Sequence, residues 1–398
     1  MKVLQINSVC GIGSTGRIVT DLYKVIEEHG HRCCVSYGRG FSPNTVNSIR
    51  VGTEFDVYSH VLYNRITDKM GFASIRATKK FIEQVEEYDP DIIHLHNIHG
   101  YYINIEILFE YLKRSKKPVI WSLYDCWSFT GHCAHFDYTG CDKWKTGCHH
   151  CEQKRIYPAS YFFDNSKKNY NRKKFLINTL DNITIVSPTN WLSTVVKESY
   201  LKDFPTTTIP SGIDLKVFKP TQSGFRSKYN LENKFVVLGV SNGFSENKGS
   251  NYFIELAKNL PKDYKLVMVG VKDKERKQIP NNVLVLPRTS NTTELAQIYT
   301  EANVFVNPTL EETQGLTNIE ALACGTSVVT FNSGGSPECI DSSCGVVVEK
   351  GDLKGLLKAI SQTSKVPFDS KSCIDRAKLF DKSKLFEKYI KLYEEVTN

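Results

Sequence analysis

Glu312 and Glu320 stand with seven residues between them in the run Asn307-Pro-Thr-Leu-Glu-Glu-Thr-Gln-Gly-Leu-Thr-Asn-Ile-Glu-Ala-Leu-Ala-Cys-Gly325. An ionised carboxylate is a pure acceptor, so each can take two hydroxyl hydrogen bonds of a sugar. The run leads from an apolar strand, 304–306, through a polar loop into an apolar helix, 316–323. Gly315 lets the backbone approach a ligand closely. The first helical N–H groups, on Leu316 and Thr317, make an anion site suited to a diphosphate. Glu312 then sits in the loop and Glu320 roughly one to two turns into the helix. One reaches a sugar ring while the other reaches a ribose. A second glycine loop, Gly334-Gly-Ser-Pro-Glu338, follows the next strand. Two glutamates at this spacing are commonplace on solvated helices; their combination with these glycines is far more specific.

Lys248 lies in Val240-Ser-Asn-Gly-Phe-Ser-Glu-Asn-Lys-Gly249, a strand-to-helix turn. A lysine there can neutralise a leaving diphosphate, where charge develops as a glycosidic bond breaks. The plainer reading is a surface lysine ahead of a helix. Near the N-terminus, Gly11-Ile-Gly13-Ser-Thr-Gly16-Arg17 follows the first strand and approaches the dinucleotide fingerprint. The next strand runs into Gly38-Arg39-Gly40 without the acidic residue that would hold a ribose, which argues against nicotinamide binding. His94-Leu-His96-Asn97-Ile-His99 and Trp121-Ser-Leu-Tyr124-Asp125 close two further strands of the same half. The histidines are metal ligands by type, but packed or hydrogen-bonded roles suit them better.

The elements that must carry these residues alternate. Apolar runs at 3–6, 33–37, 92–95, 119–123 and 183–186 are separated by amphipathic stretches. The rhythm breaks at a Thr-, Pro- and Gly-rich segment and restarts at 235–240, 265–269, 283–286, 304–306 and 328–331. Strands alternating with helices give a parallel sheet covered on both faces. The expected fold is therefore α/β with two tandem Rossmann-like domains. Residues 1–205 form the first, with a cysteine-rich insertion at 126–151. A linker covers 206–225, the second domain 226–380 and a C-terminal helix 381–398, which packs back on the first domain. Ligands of such sheets bind at the carboxyl ends of strands, and a cleft between two domains is the default site.

These motifs resemble the donor signature of the retaining family-4 glycosyltransferases of the GT-B fold. The pattern Glu-x7-Glu with Gly-Leu inside it, then Glu-Ala-x-Ala-x-Gly and Gly-Gly-x-x-Glu, is met by Glu312, Gly315, Leu316, Glu320, Ala321, Ala323, Gly325, Gly334, Gly335 and Glu338. The resemblance implies that Glu312 contacts the donor sugar near the reacting carbon, that Glu320 holds the ribose, and that the Leu316 and Thr317 amides hold phosphate. Lys248 and Glu312 are then catalytic candidates, joined by Asp125 on the acceptor side. Gly13 and Gly16 approach the donor diphosphate, while Arg17, His96, Asn97, His99 and Tyr124 belong to the acceptor region. Two positions depart from the family. Gly243 replaces an arginine that usually precedes the lysine by five positions, and Arg288, at a strand end, is the candidate to compensate. Tyr124 stands where many relatives have histidine, and a phenol of reference pKa about 10 is a poor base.

Cys133, Cys141, Cys148 and Cys151 fall in one loop-rich segment, ending in Cys-x2-Cys. That spacing suits a structural zinc, and four thiolates would leave no open catalytic position. The other reading is a set of reduced thiols. A subset of polysaccharide-type relatives resembles this stretch as well. The scattered cysteines, such as Cys10, Cys33 and Cys324, read as small buried hydrophobes. No catalytic cofactor is required.

With 51 Lys plus Arg against 43 Asp plus Glu, the formal net charge is +8, which suits anionic ligands or surfaces and equally a solvated basic surface. The absence of a long apolar run and of a leader predicts a cytoplasmic protein. Tyr161-Phe-Phe163, followed by Lys167, Lys168, Arg172, Lys173 and Lys174, suits either the inner face of an anionic membrane or an exposed basic helix. No nucleic-acid motif is present. The expected partners are a UDP- or GDP-sugar donor and a glycan or lipid-linked acceptor, in surface polysaccharide synthesis. The rival readings are a nucleotide-sugar epimerase on the same fold and a non-catalytic nucleotide-sugar-binding protein.

Overall fold

The computed structural model describes residues 1–397 and divides into two compact units. The first comprises Met1–Ile209 together with the last residues from Phe386, and the second Pro210–Leu385. The strands of the first unit are β1 (Lys2–Ile6), β2 (Arg32–Tyr37), β3 (Ser48–Arg50), β4 (Ile92–Leu95), β5 (Val119–Ser122), β6 (Ile183–Ser187) and β7 (Thr206–Thr208). They form one seven-stranded sheet in the order β3-β2-β1-β4-β5-β6-β7, and every paired neighbour is parallel. The second unit holds β8 (Phe235–Val240), β9 (Tyr264–Val269), β10 (Leu284–Leu286), β11 (Val304–Asn307), β12 (Val328–Phe331) and β13 (Gly345–Val348). Its order is β10-β9-β8-β11-β12-β13, again all parallel.

Both sheets are buried on both faces, which explains the continuous apolar runs. In the first, Leu4, Ile6, Ile93 and Leu95 enter one core, and their neighbours Val3 and Ile92 enter the opposite one. In the second, Leu238, Val267 and Phe305 face one core while Val237, Met268 and Val306 face the other. The closing helix, Lys382–Thr397, buries Phe386, Tyr389, Ile390 and Tyr393 against Val3, Ile18, Leu22 and Ile92 in the first unit.

The expected linker differs at its start. Thr206, Thr207 and Thr208 pair with Ile185, Val186 and Ser187 and complete the first sheet as an edge strand. β-branched threonines suit a half-buried pleated edge better than a flexible connection. Strand β13 and the helix Leu353–Lys365 lie beyond the elements expected from the sequence.

In each sheet the strand order reverses at one point, between β1 and β4 and between β8 and β11. Loops leaving the carboxyl ends at such a point are where ligands of open α/β sheets bind. The loop and first helical turn after β1 carry Gly11 to Arg17, and the loop after β4 carries His96 to His99. The loop after β8 carries Lys248, and that after β11 carries Glu312.

Candidate functional site

In the second unit the two switch-point loops are zipped together. Asn247 accepts from the Leu310 N–H at 2.8 Å, and its side-chain amide donates to Glu311 Oε1 at 2.6 Å. This brings the Lys248 ammonium to 2.9 Å from Glu312 Oε2 and 3.3 Å from the Glu311 carbonyl. The pair is partly shielded, with side-chain exposures of 35% and 25%. Burial alone would lower the Lys248 pKa, but the Glu312 carboxylate more than offsets it and holds the ammonium above its ordinary range. Lys248 is therefore a fixed positive charge.

Gly315 is the N-cap of the helix Leu316–Ala323, at φ +84, and no side chain caps that end. Its leading amides are thus available to an external acceptor, in keeping with the anion-site expectation. Asn318 steadies the turn by donating to Ser336 Oγ at 2.9 Å. The glycine loop after β12 closes on the same loop: Gly335 N–H donates to the Glu312 carbonyl at 3.0 Å. A Cβ on Gly334, at φ +54, would lie 1.9 Å from that oxygen, so only glycine fits. Glu320, in the helix, accepts from the buried Tyr299 hydroxyl at 3.1 Å. Glu312 and Glu320 are thus both anchored, one by a cation and one by a phenol.

Arg288 does not stand beside the vacant arginine position. It is exposed and lines a cavity of about 510 Å³ with Lys228, Ser290 and Glu294. The cation at Gly243 is Lys272, whose Nζ would lie 2.7 Å from a Cβ at that position. The sequence reading passed over Lys272. Its signal was topological: it follows β9, the neighbour of β8, at the same sheet edge. Gln314 was also missed. Its amide accepts from the Ser211 N–H at 2.9 Å and donates to the Ser211 carbonyl at 3.0 Å, tying the signature loop to the start of its unit.

In the first unit, Gly13 begins the first helix at φ +68 and Gly16 is buried. A Cβ on Gly16 would meet Val9 and the Gly11 amide at 3.1 and 3.2 Å. Arg17 is exposed, with Nε 3.2 Å from the Gly13 carbonyl. His96 is buried, and its ring nitrogens lie 3.0 Å from Tyr124 Oη and 3.0 Å from Gln5 Oε1. Burial pushes its pKa down to about 3 and that of Tyr124 well up, so both are neutral. Asn97 accepts from the Tyr102 hydroxyl through its carbonyl, and its N–H donates to Asn7. His99 Nε2 lies 2.7 Å from Asp125 Oδ2, and its Nδ1 lies 3.0 Å from Tyr157 Oη. Asp125 Oδ1 accepts the Trp127 N–H at 2.9 Å. Burial would raise the Asp125 pKa; His99 more than reverses it and keeps the carboxyl below its usual range.

In the insertion Cys133 is buried and Cys141, Cys148 and Cys151 are half-buried free thiols. Among the described residues no group of three or more His, Cys, Asp or Glu side chains is arranged to hold a metal ion. Cys133 lies beside Cys151 and brings the Cys151 thiol pKa down to about 7. Burial pushes Cys148 up to about 11. The packing of Phe129, Phe136 and Trp144, with the last two rings stacked at 4.7 Å, holds the segment together. Lys173, read with its neighbours as a surface cation, is buried. Its ammonium lies 3.9 Å from the Trp127 ring centroid, and burial lowers its pKa to about 7.

With this geometry in place, residues 222–380 match the family of glycosyl transferases group 1. The match covers less than half of the chain and contains the whole Glu312–Glu320 signature. WcaC of Escherichia coli (strain K12), provisionally named a colanic acid biosynthesis glycosyl transferase, is 26% identical over 170 residues, 40% of this chain and 41% of its own. CapM of Staphylococcus aureus, a capsular polysaccharide biosynthesis glycosyltransferase, is 29% identical over 163 residues, 38% of this chain and 43% of its own. The chain thus spans less than half the length of these curated relatives. The crystal structure of Anabaena HepE in complex with UDP superposes with a TM-score of 0.70 at 15% identity, covering 99% of this chain and 100% of that one. At this identity the likeness is one of fold, two parallel-sheet α/β units of the GT-B kind. The matched segment contains Lys248, Lys272, Glu312, Glu320 and the glycine loop at Gly334.

Proposed function

We propose that the chain transfers a sugar, with retention of anomeric configuration, from a nucleoside diphosphate donor to a glycan or lipid-linked acceptor. The observation that carries this reading is the Lys248–Glu312 pair beside the uncapped amides of Leu316 and Thr317. A cation and a helix N-terminus at one switch point are complementary to a diphosphate, and Glu312 offers acceptor oxygens to sugar hydroxyls. Glu320 takes the ribose hydroxyls, sharing its carboxylate with Tyr299. Lys272 supplies the second positive charge in place of the family arginine, and Arg288 contributes at most from the rim.

When the glycosidic bond breaks, negative charge grows on the leaving diphosphate. Lys248, Lys272 and the helix amides lie ready to stabilise it without reorganisation. The leaving phosphate then takes the acceptor proton, so no protein base is required. His99 and Asp125 position one another on the acceptor side. The capsular polysaccharide role named for CapM supports a surface-polysaccharide product, and the UDP complex of HepE supports a UDP-sugar donor. A thermal-shift screen against UDP- and GDP-sugars tests the reading. Stabilisation by one donor class, lost in Glu312→Ala, supports it; no response to any nucleotide sugar sinks it.

A further inference from the structure

The helix Glu54–Thr67 is built inside out. Its buried face consists of Val57, His60 and Asn64, two of them polar. His60 Nε2 accepts from the Gly71 N–H at 3.1 Å, and the Asn64 amide donates to the Pro158 and Ala159 carbonyls at 3.0 and 3.1 Å. The opposite face carries Phe55, Tyr58, Leu62 and Ile66, at helical spacing and in solvent; Phe55 is 79% exposed and Leu62 61%. A soluble surface helix has the reverse arrangement.

The stripe does not end with the helix. Tyr161 N–H donates to the Arg65 carbonyl at 2.8 Å and Phe163 N–H to the Ile66 carbonyl at 3.2 Å. This lays the exposed Tyr161-Phe162-Phe163 loop against the helix C-terminus, with Phe162 at 71% exposure. Single exposed apolar residues are ordinary, but a continuous patch of this kind marks an interaction surface. Cations border it: Arg65 on the helix itself, and Lys167, Lys168, Arg172 and Lys174 on the helix Ser166–Ile177, all exposed. Of the nearby carboxylates, Glu54 is paired with Arg50, Glu106 with Arg172, and Asp164 accepts from Cys151 and Ser166 N–H groups.

We infer that this face docks on an anionic lipid bilayer, with the outward stripe of the helix Glu54–Thr67 and the 161–163 loop seated at the headgroup boundary. Charge complementarity selects this occupant. Aromatic and aliphatic side chains flanked by several exposed cations suit an apolar layer beneath anionic headgroups, and no helix of the described residues is long and apolar enough to cross it. The inference is independent of the donor chemistry, which lies in the other unit.

Flotation of the full chain with phosphatidylcholine vesicles, with and without roughly one-third phosphatidylglycerol, tests it. Binding is expected to the phosphatidylglycerol vesicles and to weaken with salt. Leu62→Ser combined with Phe162→Ser reduces partitioning at least about tenfold. Lys167→Glu combined with Lys168→Glu does so by about tenfold or more. All four positions are exposed, so circular dichroism and donor hydrolysis in solution stay at the parent level. Absence of binding, equal binding by the patch variants, or a vesicle-free dimer that the Leu62→Ser change dissociates would each overturn the inference.

Discussion

At the scale of single residues, the proposed donor site rests on a few charges held by loop geometry. Lys248→Ala is expected to lower kcat by about 10²–10³ and Lys272→Ala by a smaller factor, because one preorganised cation at a developing anion is worth that much. Steady-state transfer or donor hydrolysis measures both, and Arg288→Ala serves as the contrast, with little change. Asp125 gives a pH-dependent prediction. Its folded pKa lies below the unfolded carboxylate value, so its contribution is present above about pH 4 and disappears as pH falls through the folded pKa. Asp125→Asn should therefore lose about 2 kcal/mol near neutral pH and converge with the parent in acid, as denaturant titrations across pH will show. The Glu312–Glu320 signature was readable because its glycines and carboxylates are consecutive in sequence. Lys272 was not, because its place beside Gly243 comes from the pairing of β8 with β9, a contact between residues far apart in the chain.

At the scale of elements, the glycine loops make the sharpest claim. Gly334→Ala would set a Cβ 1.9 Å from the Glu312 carbonyl, at a positive φ. It should destabilise by more than about 2 kcal/mol and weaken donor binding, because the loop carrying Glu312 must shift. Gly224 has nothing within 4 Å and no positive φ, so Gly224→Ala should stay within about 0.5 kcal/mol. For the cysteine insertion, spacing alone leaves two readings, a structural zinc and a set of reduced thiols. Cys-x2-Cys is compatible with zinc, but which thiols converge depends on how Phe136 and Trp144 pack, and the sequence does not state that. If this packing holds the insertion, a chelator shifts the melting midpoint by less than about 2 °C. A larger fall would return a structural role to a metal.

At the scale of the whole molecule, strand and helix alternation was sufficient to read two parallel-sheet units, since sheets buried on both faces leave unmistakable apolar runs. The edges were harder. β7 is three threonines, too short and polar to be distinguished from a linker. The closing helix returns to the first unit, where Tyr393 Oη lies 2.7 Å from His94 Nδ1 and Tyr389 Oη 3.0 Å from Ser122 Oγ. Tyr393→Ala is thus expected to cost about 3–5 kcal/mol, removing a fully buried ring and leaving His94 without that partner. Differential scanning calorimetry should register the loss in the first unit while donor binding in the second persists.

The central claim is that Lys248, Glu312 and the amides of the Leu316 helix hold a nucleoside diphosphate sugar. Calorimetric titration of the parent and of Lys248→Ala with UDP- and GDP-sugars tests it most directly. The account predicts saturable binding of one donor class by the parent and a loss of at least about tenfold in affinity in the variant. Equal affinity in the two proteins, or no binding by the parent to any donor in the panel, would contradict it.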